Sequence, residues 1–329
     1  MTPARKRLLF GIRIGVWLIV GTCVIVFARR LDWEQVFGSF EGVDLKLALL
    51  ATAVGLPCTA LQGLRWSSLV KAVHSRVPRM TPVAAMYVGQ AASAFLPMRA
   101  GEAVRTELLA RATGLGRATS LGTVALDHTI NGLVMFAFAG VLPLLLPVPR
   151  WMAIVLWLGM LGAVALGLVL LRLARHPGSE GTGRLGRLVV RVRSGLVAAR
   201  NPWAVAQAAA FAALSWMVEI AVAVVALDAF GLPHDLPHAM VVLFGVNLAL
   251  AIPSPPASLG NFELGAGSAL VAFGGSTERA AAFAIGYHAM QLLPTLLMGG
   301  LMLSVFRKLG RFGDTVLNSD ARAVPAVRA

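Results

Sequence analysis

Arg99 and Arg105 flank Glu102 just beyond Pro97, a combination able to handle anions. A guanidinium is planar and always charged, and its fork of donors fits a phosphate through two parallel bonds. Gly101 is expected to open a helix at the same place, so free backbone N–H groups would face an incoming anion. A second stretch repeats the ingredients with Pro253, Pro255, Gly260, Asn261 and Glu263, and there Asn261 is expected to cap a helix beginning at Phe262. Glu102 and Glu263 would hold the arginines while the site is empty, or act as proton-responsive gates. A plainer role needs no ligand: first-turn glutamates complement the helix dipole, and the arginines reach for an interface.

Four further ionisable residues, Asp127, His128, Glu219 and His288, stand inside long apolar runs. Each is costly in hydrocarbon unless it faces a partner, which makes it a functional candidate by default. They are the candidates for proton coupling, because a histidine titrating near neutrality can link ligand movement to protons. The alternative is a neutral histidine hydrogen-bonded between helices. Other motifs carry less. Gly181-Thr182-Gly183-Arg184-Leu185-Gly186 has dinucleotide spacing, yet no strand precedes it and it lies in a basic loop. His234 and His238 have metal-like spacing, but Pro237 interrupts the helix that would align them. With no P-loop, nucleophile elbow or HExxH, the chain gives no catalytic residue, metal ligand or cofactor site. Cys23 and Cys58 are too few for a disulfide framework or a four-thiolate site.

The elements that must position these residues follow from composition. Of 329 residues, 57% are hydrophobic and 13% charged, against about 45–50% and 25% in soluble domains. That excludes an ordinary soluble enzyme, a disordered chain and a coiled coil. The net charge of +14 sits in short basic blocks between long apolar runs, the arrangement of membrane topology and anionic lipid rather than of nucleic-acid binding. Spans of membrane-crossing length are expected at 8–28, 45–64, 119–146, 151–172, 203–230 and 280–306, with shorter or interrupted stretches at 81–97, 238–253 and 264–275. The first run lacks a small-residue cleavage site and is read as an uncleaved helix.

Arginine sets the expected orientation. The loop 172–200 carries Arg172, Arg175, Arg184, Arg187, Arg191, Arg193 and Arg200, whereas 29–44 holds Asp32, Glu34, Glu41 and Asp44. Both termini, 65–80, 98–118 and 172–200 are therefore expected on the cytoplasmic side. This requires that 81–97 dips in and returns, and a re-entrant segment is tolerated only around a cavity or within protein.

The two halves also look alike. Each has a short apolar stretch, a proline break, then glycine and glutamate. Glu102 and Glu263 are 161 residues apart, and the histidines that follow, His128 and His288, are 160 apart. Because the units enter from opposite sides, the repeat is expected to be inverted, and its acids to converge on one cavity near the midplane.

Arg65-Trp66, Tyr87-x-Gly89, Leu96-Pro97-x-Arg99-x-Gly101-Glu102-x-x-Arg105 and the late Pro253-x-Pro255 with Gly260 and Glu263 resemble the lysylphosphatidylglycerol synthase/flippase membrane family. The resemblance covers roughly 8–306 and adds Arg65 and Tyr87 to the binding candidates Arg99, Glu102, Arg105, Asn261 and Glu263. It implies a flippase-like bundle handling anionic phospholipid or lipid-linked head groups. The family's aminoacyl-transferase domain is not expected, since the chain ends soon after 306, so lipid aminoacylation is not carried over. Many members have an acidic–basic pair followed by Asp in the span after the loop, where this chain has Asp127-His128 and Asn131, and the usual Gly-Gly after the late prolines reads Pro256-Ala257.

The resulting expectation is an all-α polytopic bundle with re-entrant, broken helices and an inverted repeat. One transmembrane domain would occupy 1–312, with halves at about 45–146 and 203–306, followed by a disordered cytoplasmic tail at 313–329. The expected function is non-enzymatic lipid translocation in the cell inner membrane. Membrane lipids are the expected partners, nucleic acid is not, and protein partners are not specified. The rivals are an intramembrane lipid-modifying enzyme and an accessory subunit of a lipid or polyprenyl-glycan pathway.

Overall fold

The computed structural model describes residues 29, 32–96, 100–145, 150–175, 190, 192–252 and 255–322. Among them the secondary structure is entirely helical: α1 (Trp33–Glu41), α2 (Leu45–Val73), α3 (Met80–Phe95), α4 (Gly101–Thr113), α5 (Arg117–Ala139), the short α6 (Leu142–Leu145), α7 (Arg150–Arg175), α8 (Pro202–Ala229), α9 (Leu236–Leu250), α10 (Asn261–Ala272) and α11 (Thr277–Arg322). Among the described residues, five helical segments are long and apolar enough to cross a membrane: Leu45–Val73, Arg117–Ala139, Ala153–Arg175, Pro202–Ala229 and Thr277–Val305. The predicted run 8–28 lies outside the described residues. The predicted span 119–146 divides at Gly140, whose N–H donates to Phe136 O as α5 ends. Helix α11 runs on through Arg322, into the stretch expected to form the tail.

Polar residues fix where the apolar helices begin. Asp44 accepts from the N–H groups of Lys46 and Leu47 at the start of α2. Asn201 accepts from Ala204 N–H, with Pro202 in the first turn of α8, and Asp235 accepts from His238 N–H at the start of α9. These caps satisfy donors that the first helical turn leaves open. Pro237 therefore does not interrupt a helix as expected; it stands in the first turn of α9, where a missing N–H is harmless.

Helices α2 and α8 pack antiparallel. The N–H of Asp44, at the start of α2, donates to the carbonyl of Ala229, at the end of α8, at 2.9 Å. Near mid-length the Cys58 Sγ lies 3.8 Å from Ser215 O. Cys58 and Ser215 are each the fourteenth residue of their helix. Equivalent positions of two antiparallel helices meeting each other define an approximate two-fold axis across the helices, so α2–α5 and α8–α11 form an inverted repeat.

Each half carries a helical hairpin. In α3–α4, Gly89 meets Gly101, and in α9–α10, Gly245 meets Gly265, backbone against backbone. A Cβ on Gly101 would fall 1.9 Å from Gly89 O, which only glycine at this crossing avoids. The base of the first hairpin packs with Trp66 and Val70 near the end of α2, through Ala84, Ala85 and Leu109. The base of the second packs with Ala226 and Leu227 near the end of α8, through Leu232 and Ala239. Because those helix ends lie at opposite ends of the molecule, the hairpins enter from opposite sides and each returns to the side it left.

Candidate functional site

The hairpin tips bound a cavity of about 330 Å³ whose wall includes residues of both repeats. The first repeat contributes Arg65 from α2, Glu102 and Arg105 from α4, and Asp127, His128 and Asn131 from α5. Phe262 of α10 and the tip residues Ala257 and Ser258 close it from the second repeat. Ala257 and Ser258 adopt positive φ, 56° and 58°, where glycine is at home. The tip thus holds two non-glycine residues in a backbone conformation that favours glycine.

Asp127 is the hub of the charged wall. Its carboxylate, fully buried, accepts from Arg65 Nε at 2.7 Å and Arg65 Nη2 at 3.3 Å, a two-pronged pairing. Arg105 Nη1 approaches the same group at 3.5 Å. Arg65 Nη1 also donates to Asn131 Oδ1 at 2.6 Å. The remaining donors of Arg105 are distributed in a fan, with Nε to Glu102 Oε2 at 2.5 Å, Nη1 to Met86 Sδ at 3.0 Å and Nη2 beside His128 Nε2 at 3.3 Å. Its guanidinium stands 4.8 Å over the Trp66 ring, and the indole N–H of Trp66 is held by Thr123 Oγ1 at 3.0 Å. Two arginines are offset by two carboxylates, so the cluster is neutral, as a buried ionic network must be to persist. Asp127, Arg65 and Arg105 are almost inaccessible, while the side chains of Glu102 and His128 are 38% and 48% exposed. The cluster presents the cavity with one carboxylate and one imidazole in front of a cationic layer.

The second repeat repeats the geometry without the charge. His128 and His288 are each the twelfth residue of their helices, and each meets the glutamate of its own hairpin. Glu102 and His128 are 3.3 Å apart, Glu263 and His288 2.6 Å. Yet the places of Arg65 and Asp127, by position in their helices, are taken by Val222 and Tyr287, and Ala266 stands three residues after Glu263 as Arg105 stands three after Glu102; all three are buried in the largest apolar cluster.

Several expected site residues stand elsewhere. Glu263 does not reach the wall reached by Glu102; it accepts from Gly260 N–H at 2.7 Å and pairs with His288, whose ring stacks on Phe262 at 4.3 Å. Asn261 does not cap a helix starting at Phe262. It is itself the first residue of α10, with Gly260 as cap, and its Nδ2 donates to the carbonyls of Ala249 and Ile252, closing the end of α9. The carbonyls left open by a broken helix outcompete the expected cap. Tyr87 donates to Leu56 O at 3.2 Å and lines a second, smaller cavity of about 80 Å³. Glu219 lines both cavities. Arg99 lies outside the described residues.

Sequence reasoning missed Gln62 and Gln90, which join the two cavities through a 2.6 Å hydrogen bond. Amide side chains inside apolar helices were the available signal. Among the described residues, no group of three or more His, Cys, Asp or Glu side chains is arranged to hold a metal ion. On the surface, Glu107 joins Arg111 at 2.6 Å and also Arg117, tying α4 to α5; the two guanidiniums hold its carboxyl down at about 2.

The family model of the lysylphosphatidylglycerol synthase TM region matches residues 9–299, nearly the whole helical array. None of the curated proteins is a significant match. The apolar spans and the family together make this a multi-pass membrane protein of a family concerned with lipid. The chain belongs to the family of the lysylphosphatidylglycerol synthase TM region.

Proposed function

We propose that the protein is a lipid translocator, moving anionic phospholipid or lipid-linked phosphate head groups across the inner membrane without covalent change to the lipid. One observation carries the reading: a cavity between two oppositely entering hairpin tips is walled by paired arginines. An incoming phosphate can exchange with the Glu102 carboxylate for the donors of Arg105, so no buried charge is left bare during the swap. Helix α4, whose first turn adjoins the cavity at Glu102 and has no side-chain cap, adds the positive end of its dipole on the same side. Apolar tails would remain in hydrocarbon while the head group crosses through the polar interior.

Arg105→Lys tests this in vesicles containing a fluorescent-tail phosphatidylglycerol. Lysine keeps the charge but loses the fork, and translocation is expected to slow roughly tenfold, the worth of one charge-assisted hydrogen bond. Wild-type rates in the lysine variant would show that phosphate is not recognised there.

The same reading puts both termini and the α4–α5 connection in the cytoplasm, because the exposed Arg111 and Arg117 belong on the inner side. A cysteine introduced at Ala112, with Cys23 and Cys58 replaced, should react with an impermeant maleimide only in inside-out vesicles. Labelling in intact cells would reverse the orientation.

A further inference from the structure

One ionisable group at membrane depth stands apart from the ion pairs. Asp127 has Arg65 and Arg105, Glu102 has Arg105 and His128, and Glu263 has His288. Glu219 has neither arginine nor histidine as a pairing partner among the described residues; its side chain receives a hydrogen bond from the Cys58 thiol at 3.0 Å. It can therefore change charge without breaking an ion pair, which none of the other three acids can do.

Its position adds to this. Glu219 lines both the large and the small cavity, and the wall they share is otherwise Gln62, Gln90, Gln291 and Thr295. These are neutral, hydrogen-bonding side chains that can pass a proton through water without trapping a charge. Glu219 is the eighteenth residue of α8, and its counterpart in α2 is Gln62, also the eighteenth. The pair sits close to the two-fold axis marked by Cys58 and Ser215, between the two ends of the molecule. Of the ionisable groups around Glu219, Cys58 and Arg65 come from α2, Tyr87 from α3, Glu102 and Arg105 from α4, Asp127 and His128 from α5, and Tyr287 from α11, while α9 presents the neutral Asn247. The charged members of this set are paired with one another.

We propose that Glu219 is a proton-exchange site between the two cavities, through which a proton gradient drives the translocation. Its carboxylate gains one proton from water in one cavity, forming an O–H bond, and gives the same proton to water in the other. Nothing is oxidised or reduced. The inference rests on the lipid reading of the large cavity, and its test separates the two.

The full-length protein is reconstituted in phosphatidylcholine vesicles carrying fluorescent-tail phosphatidylglycerol, and a pH difference of one unit is imposed. With one proton per lipid, the steady-state ratio between leaflets is expected to shift about tenfold, since one pH unit is worth 1.36 kcal/mol. Glu219→Gln should leave the ratio near unity while lipid still exchanges at equal pH, and Glu219→Asp should retain the response. Moving the acid across the axis, Gln62→Glu with Glu219→Gln, should restore it. A glutamine variant that follows the gradient like the wild type overturns the proposal, as does a wild type that exchanges lipid indifferently to pH. Should the glutamine variant fail to fold, the wild type's protonated-carboxyl infrared band must titrate with pH and shift in Glu219→Asp; a band that does neither also overturns it. If that band titrates in a wild-type protein that moves no lipid, the lipid reading falls while the proton site stands.

Discussion

Asp127→Ala is expected to destabilise the folded protein by ~3–5 kcal/mol, because it strands two buried arginines at once. Arg65 would lose a two-pronged carboxylate partner and Arg105 a second acceptor, while both guanidiniums stay out of water. Removing the positive charge along with the negative should be far milder. In Arg65→Met with Asp127→Leu, Arg105 keeps Glu102 and the space is filled with apolar atoms, so more than half of the loss should be recovered. Thermal unfolding in detergent, followed by size-exclusion fluorescence, reads both. A double variant as unstable as Asp127→Ala would mean that the aspartate acts through packing and not through charge.

Gly101→Ala is the second large effect. Its Cβ would meet Gly89 O at 1.9 Å and Ser93 Oγ at 2.3 Å, and one of these is backbone that cannot rotate away. Overpacking of this kind costs ~1–3 kcal/mol, and a backbone clash lies at the upper end. The first hairpin should open at its crossing, lowering the melting temperature and withdrawing Glu102, the next residue, from the cavity. Gly132→Ala, where a Cβ meets nothing within 4 Å, is the control and should melt as the wild type does. Equal melting of the two variants would show that the hairpin is looser than its contacts imply.

Much of the architecture is legible in the sequence because hydrophobicity is local information. The spans follow from runs of apolar residues, and the hairpin tips from proline and glycine interrupting them. The spacing of Glu102 and His128 against Glu263 and His288 announces the repeat, and the twelfth-residue equivalence of the histidines agrees with it. What was not legible is contact between distant positions. Nothing local says that Arg65 reaches Asp127, 62 residues away, or that Glu263 turns to His288 and not to the cavity. Asn261 misled for a related reason: as a residue type it suits a helix start, but the open carbonyls that claimed it belong to the preceding helix.

The antiparallel crossing of α2 and α8 bears on how such a fold can work against a load. If the two hairpins exchanged conformations, the molecule would be turned over and its opposite face would open, with the same shape and the same backbone energy. A fully symmetric molecule would therefore spend equal time open to each side. Here the charges break that tie: Arg65, Arg105 and Asp127 travel with one half, and Val222, Ala266 and Tyr287 with the other. On the translocator proposal, this geometry would supply a reversible turnstile, and the lopsided placement of three side chains would set its resting position.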